Sequence, residues 1–255
     1  MFYPERERLM LSHLAGVSMA TPAQLQAVTG ASIATVRRDL NEMQARGLVK
    51  RSHGCVQLAA AAPRPEPSVP AHLDEKARIA VAAASMVNDG DTIFLSSGTT
   101  CTQLARQLPG KKDLRIMTIN LDVMDVLRDL IVNDGATVSI LGGEIKVEDG
   151  YVETLDEYTL ELLRRLYFDK VFVTVNGIDF EYGYSIMKQL QYSLFQHLLD
   201  NSKDFFCLAD SSKFEVRTYM HFCPITAIRS VITTREVKAR YAAQFAERGI
   251  RVITD

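Results

Sequence analysis

The amino-acid sequence predicts a two-module protein whose larger module is a doubly wound, mostly parallel α/β domain. Three observations carry that expectation. Short, continuously apolar, β-rich runs recur from residue 92 onward, separated by segments of helical periodicity, which is the pattern of a parallel sheet covered on both faces. The stretch "LAAAAPRPEPSVPAHLDEK" holds Pro63, Pro65, Pro67 and Pro70, half of the chain's eight prolines, and favours extended conformations over helix or central strand. Residues 1–58 carry seven Lys/Arg against four Asp/Glu, whereas the 255-residue chain has a net charge of −2; charge is divided unequally between the modules. The boundaries that follow are 1–58, a linker at 59–72, and 73–255.

In the larger module, strands are expected at Thr92–Leu95, Arg115–Ile119, Thr137–Leu141, Val171–Val175, Phe205–Ala209, Ser230–Thr233 and Arg251–Thr254. Helices are expected at Lys76–Val87, Thr102–Leu108, Leu121–Leu130, Leu155–Leu166, Leu190–Leu199 and Glu236–Arg248. In the smaller module, a helix around Pro22–Val28 stops at Thr29-Gly30, where glycine serves as the turn residue. Ser32 is a suitable N-cap for a second helix, along which Val36, Leu40 and Met43 repeat at i, i+4, i+7. Gly47 closes that helix. A hairpin follows, Leu48–Arg51 and Val56–Leu58, with His53-Gly54 at its bend. Helix, glycine turn, helix and hairpin make a winged helix-turn-helix.

That arrangement suits DNA. Ser32, Thr35 and Arg38 lie near the start and along one side of the second helix, where a recognition helix meets the major groove. Arginine pairs bidentately with guanine or holds a phosphate, so Arg37 and Arg38 are candidate contacts. Arg51 and His53 in the wing suit backbone or minor-groove contact. The competing reading is a small interaction module with an incidental basic face.

Other classes are disfavoured by composition. Cys55, Cys101, Cys207 and Cys223 are widely spaced and form no CxxC pair, so neither a disulfide framework nor a zinc site is indicated. His13, His72, His197 and His221 have no metal-ligand spacing, and no motif calls for a cofactor. Glu5, Arg6, Glu7 and Arg8 precede any apolar run, which is not a signal-peptide pattern. No stretch approaches the roughly 20 apolar residues that span a bilayer. A cytoplasmic protein without a membrane partner is expected.

The loops after the strands carry the chemistry. In an open α/β sheet, ligands sit outside the carboxyl ends of the strands, and Ser97–Thr100, Asn120, Gly142-Gly143, Asn176-Gly177 and Asp210–Lys213 all follow expected strands. Ser96-Ser97-Gly98-Thr99-Thr100 leads into a helix, whose N-terminal N–H groups and adjoining hydroxyls suit an anion; it also fits an ordinary N-cap turn. Gly98 permits close backbone approach, and Lys213 offers a point charge. Taken alone, Gly142-Gly143 is a turn and Lys213 a solvated side chain. Cys101 would sense oxidation only if the helix start stabilised its thiolate; the alternative is an inert, buried thiol.

"TVRRDLNEMQARGLVKRSHG" resembles the N-terminal signature of the DeoR family of bacterial transcriptional repressors, through Thr35, Val36, Arg37, Arg38, Asp39, Leu40, Gly47, Leu48, Arg51, His53 and Gly54. Cys55 replaces the family's second glycine, and Asp39 fits a structural pairing with a nearby arginine. The likeness continues through Glu75, Lys76, Ile79 and Ala80, the "SSGTT" run, Asn120, "LGGE", "FDKVFVTVNGID" with Gly177 and Asp179, and "DSSKF" with Asp210 and Lys213. It implies an effector domain similar to ribose-5-phosphate isomerase, a phosphorylated sugar-like effector, operator DNA as partner, and a homodimer or higher oligomer. The implied effector residues are Ser96, Ser97, Gly98, Thr99, Thr100, Asn120, Gly142, Gly143, Gly177, Asp179, Asp210 and Lys213.

Two departures argue against the alternative, an isomerase-like enzyme with a DNA-binding appendage. Ser96 stands where the family usually has Asp. Gln191, Tyr192, Ser193 and Phe195 stand near the family's usual acidic pair and lysine. Sugar-phosphate isomerisation requires a base beside a carbonyl, and Glu144, Asp179 and Asp210 have no recognisable acid–base partner in the sequence. The expectation is a carbohydrate-responsive repressor rather than a catalyst.

Overall fold

The computed structural model describes residues 3–16, 20–52, 55–58, 72–148 and 151–255. His53, Gly54 and all of the expected linker except His72 lie outside them. The chain divides into two compact units: Met1–Pro70 with Val147–Gly150, and Ala71–Lys146 with Tyr151–Asp255. No helix among the described residues is long and apolar enough to cross a membrane.

The first unit contains α1 (Tyr3–Gly16), α2 (Pro22–Thr29), α3 (Ile33–Ala45), β1 (Val49–Ser52) and β2 (Cys55–Leu58). Proline occupies the first turn of α2, where its missing N–H costs nothing, and Thr21 and Gln24 form a reciprocal capping box. Gly30 ends α2 at φ 64°, its N–H reaching Gln26 O. Ser32 caps α3 by accepting from Thr35 N at 3.2 Å. Val36, Leu40 and Met43 turn fully inward against Leu25 and Met10. The strands pair antiparallel, Val49 opposite Leu58 and Ser52 opposite Cys55.

Helix α1 has no counterpart among the sequence expectations. Its inward face, Arg6, Met10 and Leu14 at i, i+4, i+8, mixes an arginine with apolar residues and so blurs the periodicity. Arg6 explains the placement: its Nε and Nη2 donate to the two oxygens of Asp39 at 2.7 and 3.1 Å, with both residues buried. A fork-shaped guanidinium against a carboxylate satisfies both ions in geometry that lysine cannot reproduce.

From Leu73 onward come α4 (Leu73–Ser85), β3 (Thr92–Leu95), α5 (Thr99–Arg106), β4 (Arg115–Thr118), α6 (Leu121–Val126), α7 (Arg128–Asp134), β5 (Thr137–Ile140), β6 (Lys146–Glu148), β7 (Tyr151–Glu153) and α8 (Glu157–Leu163). They are followed by β8 (Phe168–Thr174), β9 (Gly177–Asp179), β10 (Gly183–Ile186), α9 (Gln189–Asp200), β11 (Ser202–Leu208), a 3₁₀ turn (Ser211–Lys213), β12 (Met220–Cys223), β13 (Ser230–Thr233), α10 (Arg235–Arg240), α11 (Ala242–Glu247) and β14 (Arg251–Thr254). A seven-stranded parallel sheet runs β14-β13-β11-β8-β3-β4-β5. Its members are the seven expected strands.

Side-chain alternation divides two cores between the faces of this sheet. Ile93, Leu95, Phe172, Phe206 and Ile232 join residues of α4 to α7 on one face. Phe94, Val171, Val173, Phe205, Cys207 and Val231 join α8 to α11 on the other. The sheet is therefore doubly wound.

Three expectations need correction. Helix α5 begins at Thr99, not Thr102, so Thr99 and Thr100 belong to its first turn. The expected helices 121–130 and 236–248 are each broken, at Leu127 and at Tyr241; Tyr241 leaves helical geometry and stacks its ring on Phe214 with centroids 5.2 Å apart. A three-stranded antiparallel sheet, β12-β10-β9, occupies sequence expected to be loop. Its strands are three or four residues long, too short to show alternation.

Phe172 and Phe206 stack at 5.1 Å on the α4–α7 face and are essentially unexposed. Phe172→Ala is expected to lower stability by about 3–5 kcal/mol. Urea unfolding followed by far-ultraviolet circular dichroism measures this in a chain without tryptophan.

Candidate functional site

On α3, burial of Val36, Asp39, Leu40 and Met43 leaves Arg37 and Arg38 exposed. Neither makes an ion pair among the described residues. Asp39, adjacent to both, is occupied by Arg6. Ser32 and Thr35 hold each other through their hydroxyls at 2.9 Å as part of the cap. Arg51 on β1 donates to Asn41 Oδ1 of α3 at 2.5 Å, tying the wing strand to the helix. His53 lies outside the described residues.

The second site begins where strand order reverses. Strands β3, β4 and β5 run outward in one direction, and β8, β11, β13 and β14 in the other. The crossovers thus leave in opposite directions from β3 and β8, and a crevice opens outside their carboxyl ends. Ser96 continues the β3–β8 ladder, its N–H donating to Phe172 O at 3.0 Å, and is buried. Thr174 at the end of β8 donates its hydroxyl to Ser97 O at 3.0 Å. Gly98 follows at φ 123°, and a Cβ there would lie 2.9 Å from Thr174 Oγ1. Glycine alone meets both demands.

Ser97 donates its hydroxyl to Glu153 Oε2 at 2.6 Å, and Lys188 Nζ donates to Glu153 Oε1 at 2.7 Å. Glu153 is buried at 4% exposure, so the carboxylate sits between a hydroxyl and an ammonium. Its backbone pairs with Asn120. Asn120 caps α6, its Oδ1 accepting from Val123 N at 2.9 Å, while its buried Nδ2 has no hydrogen-bond partner. An unmatched buried donor beside a hydroxyl, a carboxylate and an ammonium is suited to a polar ligand oxygen. Thr99 and Thr100 add the open N–H groups of the first turn of α5.

The remaining expected residues are engaged in other ways. Gly142 O accepts from Thr159 Oγ1 at 2.8 Å, and a Cβ on Gly143 would lie 2.5 Å from the Asp156 carboxylate that caps α8. Gly177 gives close passage to Val216 O in the small sheet. Asp179 takes a bidentate Arg217 at 2.8 and 3.1 Å together with the N–H groups of Glu181 and Tyr182, which hold its carboxyl down to about 2. Asp210 caps the 3₁₀ turn through Ser212 and faces Lys76 at 3.9 Å. Lys213 is half-buried at the end of that turn and makes no ion pair among the described residues. Glu153, Lys188 and Thr174 escaped the sequence reading. They lie far from "SSGTT" along the chain, and only the fold brings them to it.

Against known proteins, residues 6–61 match the DeoR-like helix-turn-helix domain and residues 71–235 the DeoR C terminal sensor domain. The chain belongs to the DeoR family. It is 31% identical over 225 residues to the lactose phosphotransferase system repressor of Lactococcus lactis subsp. lactis, covering 84% of each chain. It is 29% identical over 205 residues to the glycerol-3-phosphate regulon repressor of Escherichia coli (strain K12), covering 78% of each. Among solved structures, ribose 5-phosphate isomerase A from Methanocaldococcus jannaschii matches 55% of this chain and 54% of its own at 16% identity, with a TM-score of 0.38. As a DeoR-family member with named repressors as relatives, the protein is a transcriptional regulator rather than an enzyme.

Cys101 in this DeoR-family sensor domain is fully buried, which pushes its thiol up to about 12; Cys223 is pushed to about 12 by the same cause, and Cys207 also rises. At pH 8 all three remain thiols and are shielded. Ellman titration of the folded chain is expected to report one reactive group, the half-exposed Cys55, and four after denaturation.

Proposed function

We propose that this regulator represses a carbohydrate-metabolism operon and is released by a phosphorylated sugar-like metabolite seated at the β3–β8 crevice. The observation that carries the reading is the convergence of Ser97, Gly98, Asn120, Glu153 and Lys188 at the strand-order reversal of a DeoR-type sensor domain. In this reading Lys188 and the first turn of α5 attract the phosphate, Asn120 Nδ2 donates to a sugar oxygen, and Glu153 accepts a sugar hydroxyl. Ser96, Thr99 and Thr100 shape the floor, with Asp210 and Lys213 at the β11 end of the same sheet edge. The names of relatives, a lactose phosphotransferase system repressor and a glycerol-3-phosphate regulon repressor, support a sugar-phosphate signal.

Operator DNA lies along α3 and the wing, with Arg37 and Arg38 as principal contacts and Ser32, Thr35, Arg51 and His53 beside them. Two-fold operators require at least a homodimer, acting in the cytoplasm. Residues 1–58 form the DNA-binding domain, 59–72 the linker and 73–255 the sensor. Control requires the metabolite to bind the DNA-competent and DNA-incompetent states unequally.

Footprinting of the full chain on a DNA site selected by the wild-type protein from a random-sequence pool tests the assignment. Arg38→Ala is expected to cost about 1–3 kcal/mol per half-site and to erase protection at concentrations where the wild type protects fully. Binding by the wild type is expected to weaken steeply with salt. Unchanged protection by the variant contradicts the assignment.

A further inference from the structure

The other end of the seven-stranded sheet holds a second concavity. Outside the amino ends of β11, β13 and β14 lies a cleft of about 560 Å³ whose lining includes Ser202, Lys203, Asp204, Arg229, Ser230 and Arg251. That volume suits a small molecule rather than a macromolecule. The strands define it: Ser230 stands opposite Arg251 and next to Phe206 in the ladder, so the side chains at the start of each strand, with Arg229 just before β13, gather at one edge. It is separated by the length of the strands from the crevice at their carboxyl ends.

Its chemistry is one-sided. Lys203, Arg229 and Arg251 are exposed, and none makes an ion pair among the described residues. Elsewhere in this unit arginines such as Arg78 and Arg217 are locked to carboxylates. One acid, Asp204, faces three cations, leaving the cleft with a positive field in a concave setting that concentrates anions. Ser202 lines the same cleft, and its hydroxyl is shielded from solvent with no hydrogen-bond partner.

We infer that this cleft is a second ligand site, for a small polyanion bearing at least two phosphate or carboxylate groups. The guanidinium forks of Arg229 and Arg251 take one oxyanion each or share one bidentately, and Lys203 adds a point charge. The Ser230 hydroxyl adds a hydrogen bond to the anion, and Asp204 accepts a ligand hydroxyl. The inference does not depend on the crevice reading, because no residue is shared between the two sites.

Isothermal titration of the full chain with inorganic pyrophosphate tests it, in parallel with Lys188→Ala, Arg229→Ala/Arg251→Ala and Arg229→Lys/Arg251→Lys chains. Saturable binding at one site per chain is expected to persist in Lys188→Ala. It is expected to weaken by about tenfold or more in the double alanine variant, the cost of losing charge-assisted hydrogen bonds, and to be partly retained in the double lysine variant. Because both arginines are exposed, the thermal midpoint of the alanine variant is expected to match the wild type, showing that the fold is intact. Equal affinity in wild type and double alanine variant, loss of all binding in Lys188→Ala, or no saturable heat in the wild type overturns the inference. So does a change in sedimentation of the double alanine variant with unchanged pyrophosphate affinity, which assigns the cleft to contact between copies.

Discussion

The sensor domain depends on one close approach, that of Gly98 to Thr174. Strand order reverses between β3 and β8, so no crossover covers the gap outside their ends. What holds the rim together is a hydroxyl from one strand on a carbonyl of the next, Thr174 Oγ1 to Ser97 O at 3.0 Å, with glycine at φ 123° where any side chain would collide. That contact fixes Ser97, whose hydroxyl donates to Glu153, and Lys188 donates to the other oxygen of the same carboxylate. The α5 helix starts one residue beyond the glycine, so its N–H groups open onto the same space. Fold topology and site chemistry are the same constraint seen at two scales.

The helix-turn-helix uses charge in a comparable division of labour. Arg37, Arg38 and Asp39 are consecutive on α3, and Arg6 of α1 faces the acid among them. Arg6 on α1 takes the carboxylate in a buried fork, and the two arginines preceding it in sequence keep their charge at the surface. Were Asp39 left exposed, its negative charge would lower the positive potential of the same helix. Burying one acid against a distant arginine therefore shapes both the packing of α1 and the electrostatics of the helix that follows the glycine turn.

Much of the architecture is legible in the sequence because parallel strands buried on both faces are continuously apolar. The inner strands, such as β3 and β8, announce themselves in that way, and the partly exposed edge strands β5 and β14 through their β-branched residues. Gly30 and Ser32 are equally plain, since left-handed turns and N-caps each have few residue solutions. Elements that depend on distant partners are not legible. Helix α1 carries Arg6 on its inward face, and only Asp39 makes that sensible. The small sheet of β9, β10 and β12 is built from strands too short for a period. The site divides along the same line. "SSGTT" is conspicuous as a local turn, whereas Glu153 and Lys188 look like ordinary charged residues until the fold brings them to Ser97. The glycine pair Gly142-Gly143 shows the reverse: a conspicuous motif whose geometry is used by the Asp156 cap of α8.

In the function proposed above, the signal controlling DNA affinity enters at the β3–β8 crevice. Hydrogen exchange measured by mass spectrometry on the full chain, with and without a phosphorylated sugar that releases it from operator DNA, reads that step. Slowed exchange is expected in peptides spanning 96–102, 118–123 and 186–190, with peptides covering 202–205 and 249–252 unchanged. Unaltered exchange at 96–102 under saturating, operator-releasing metabolite would contradict it.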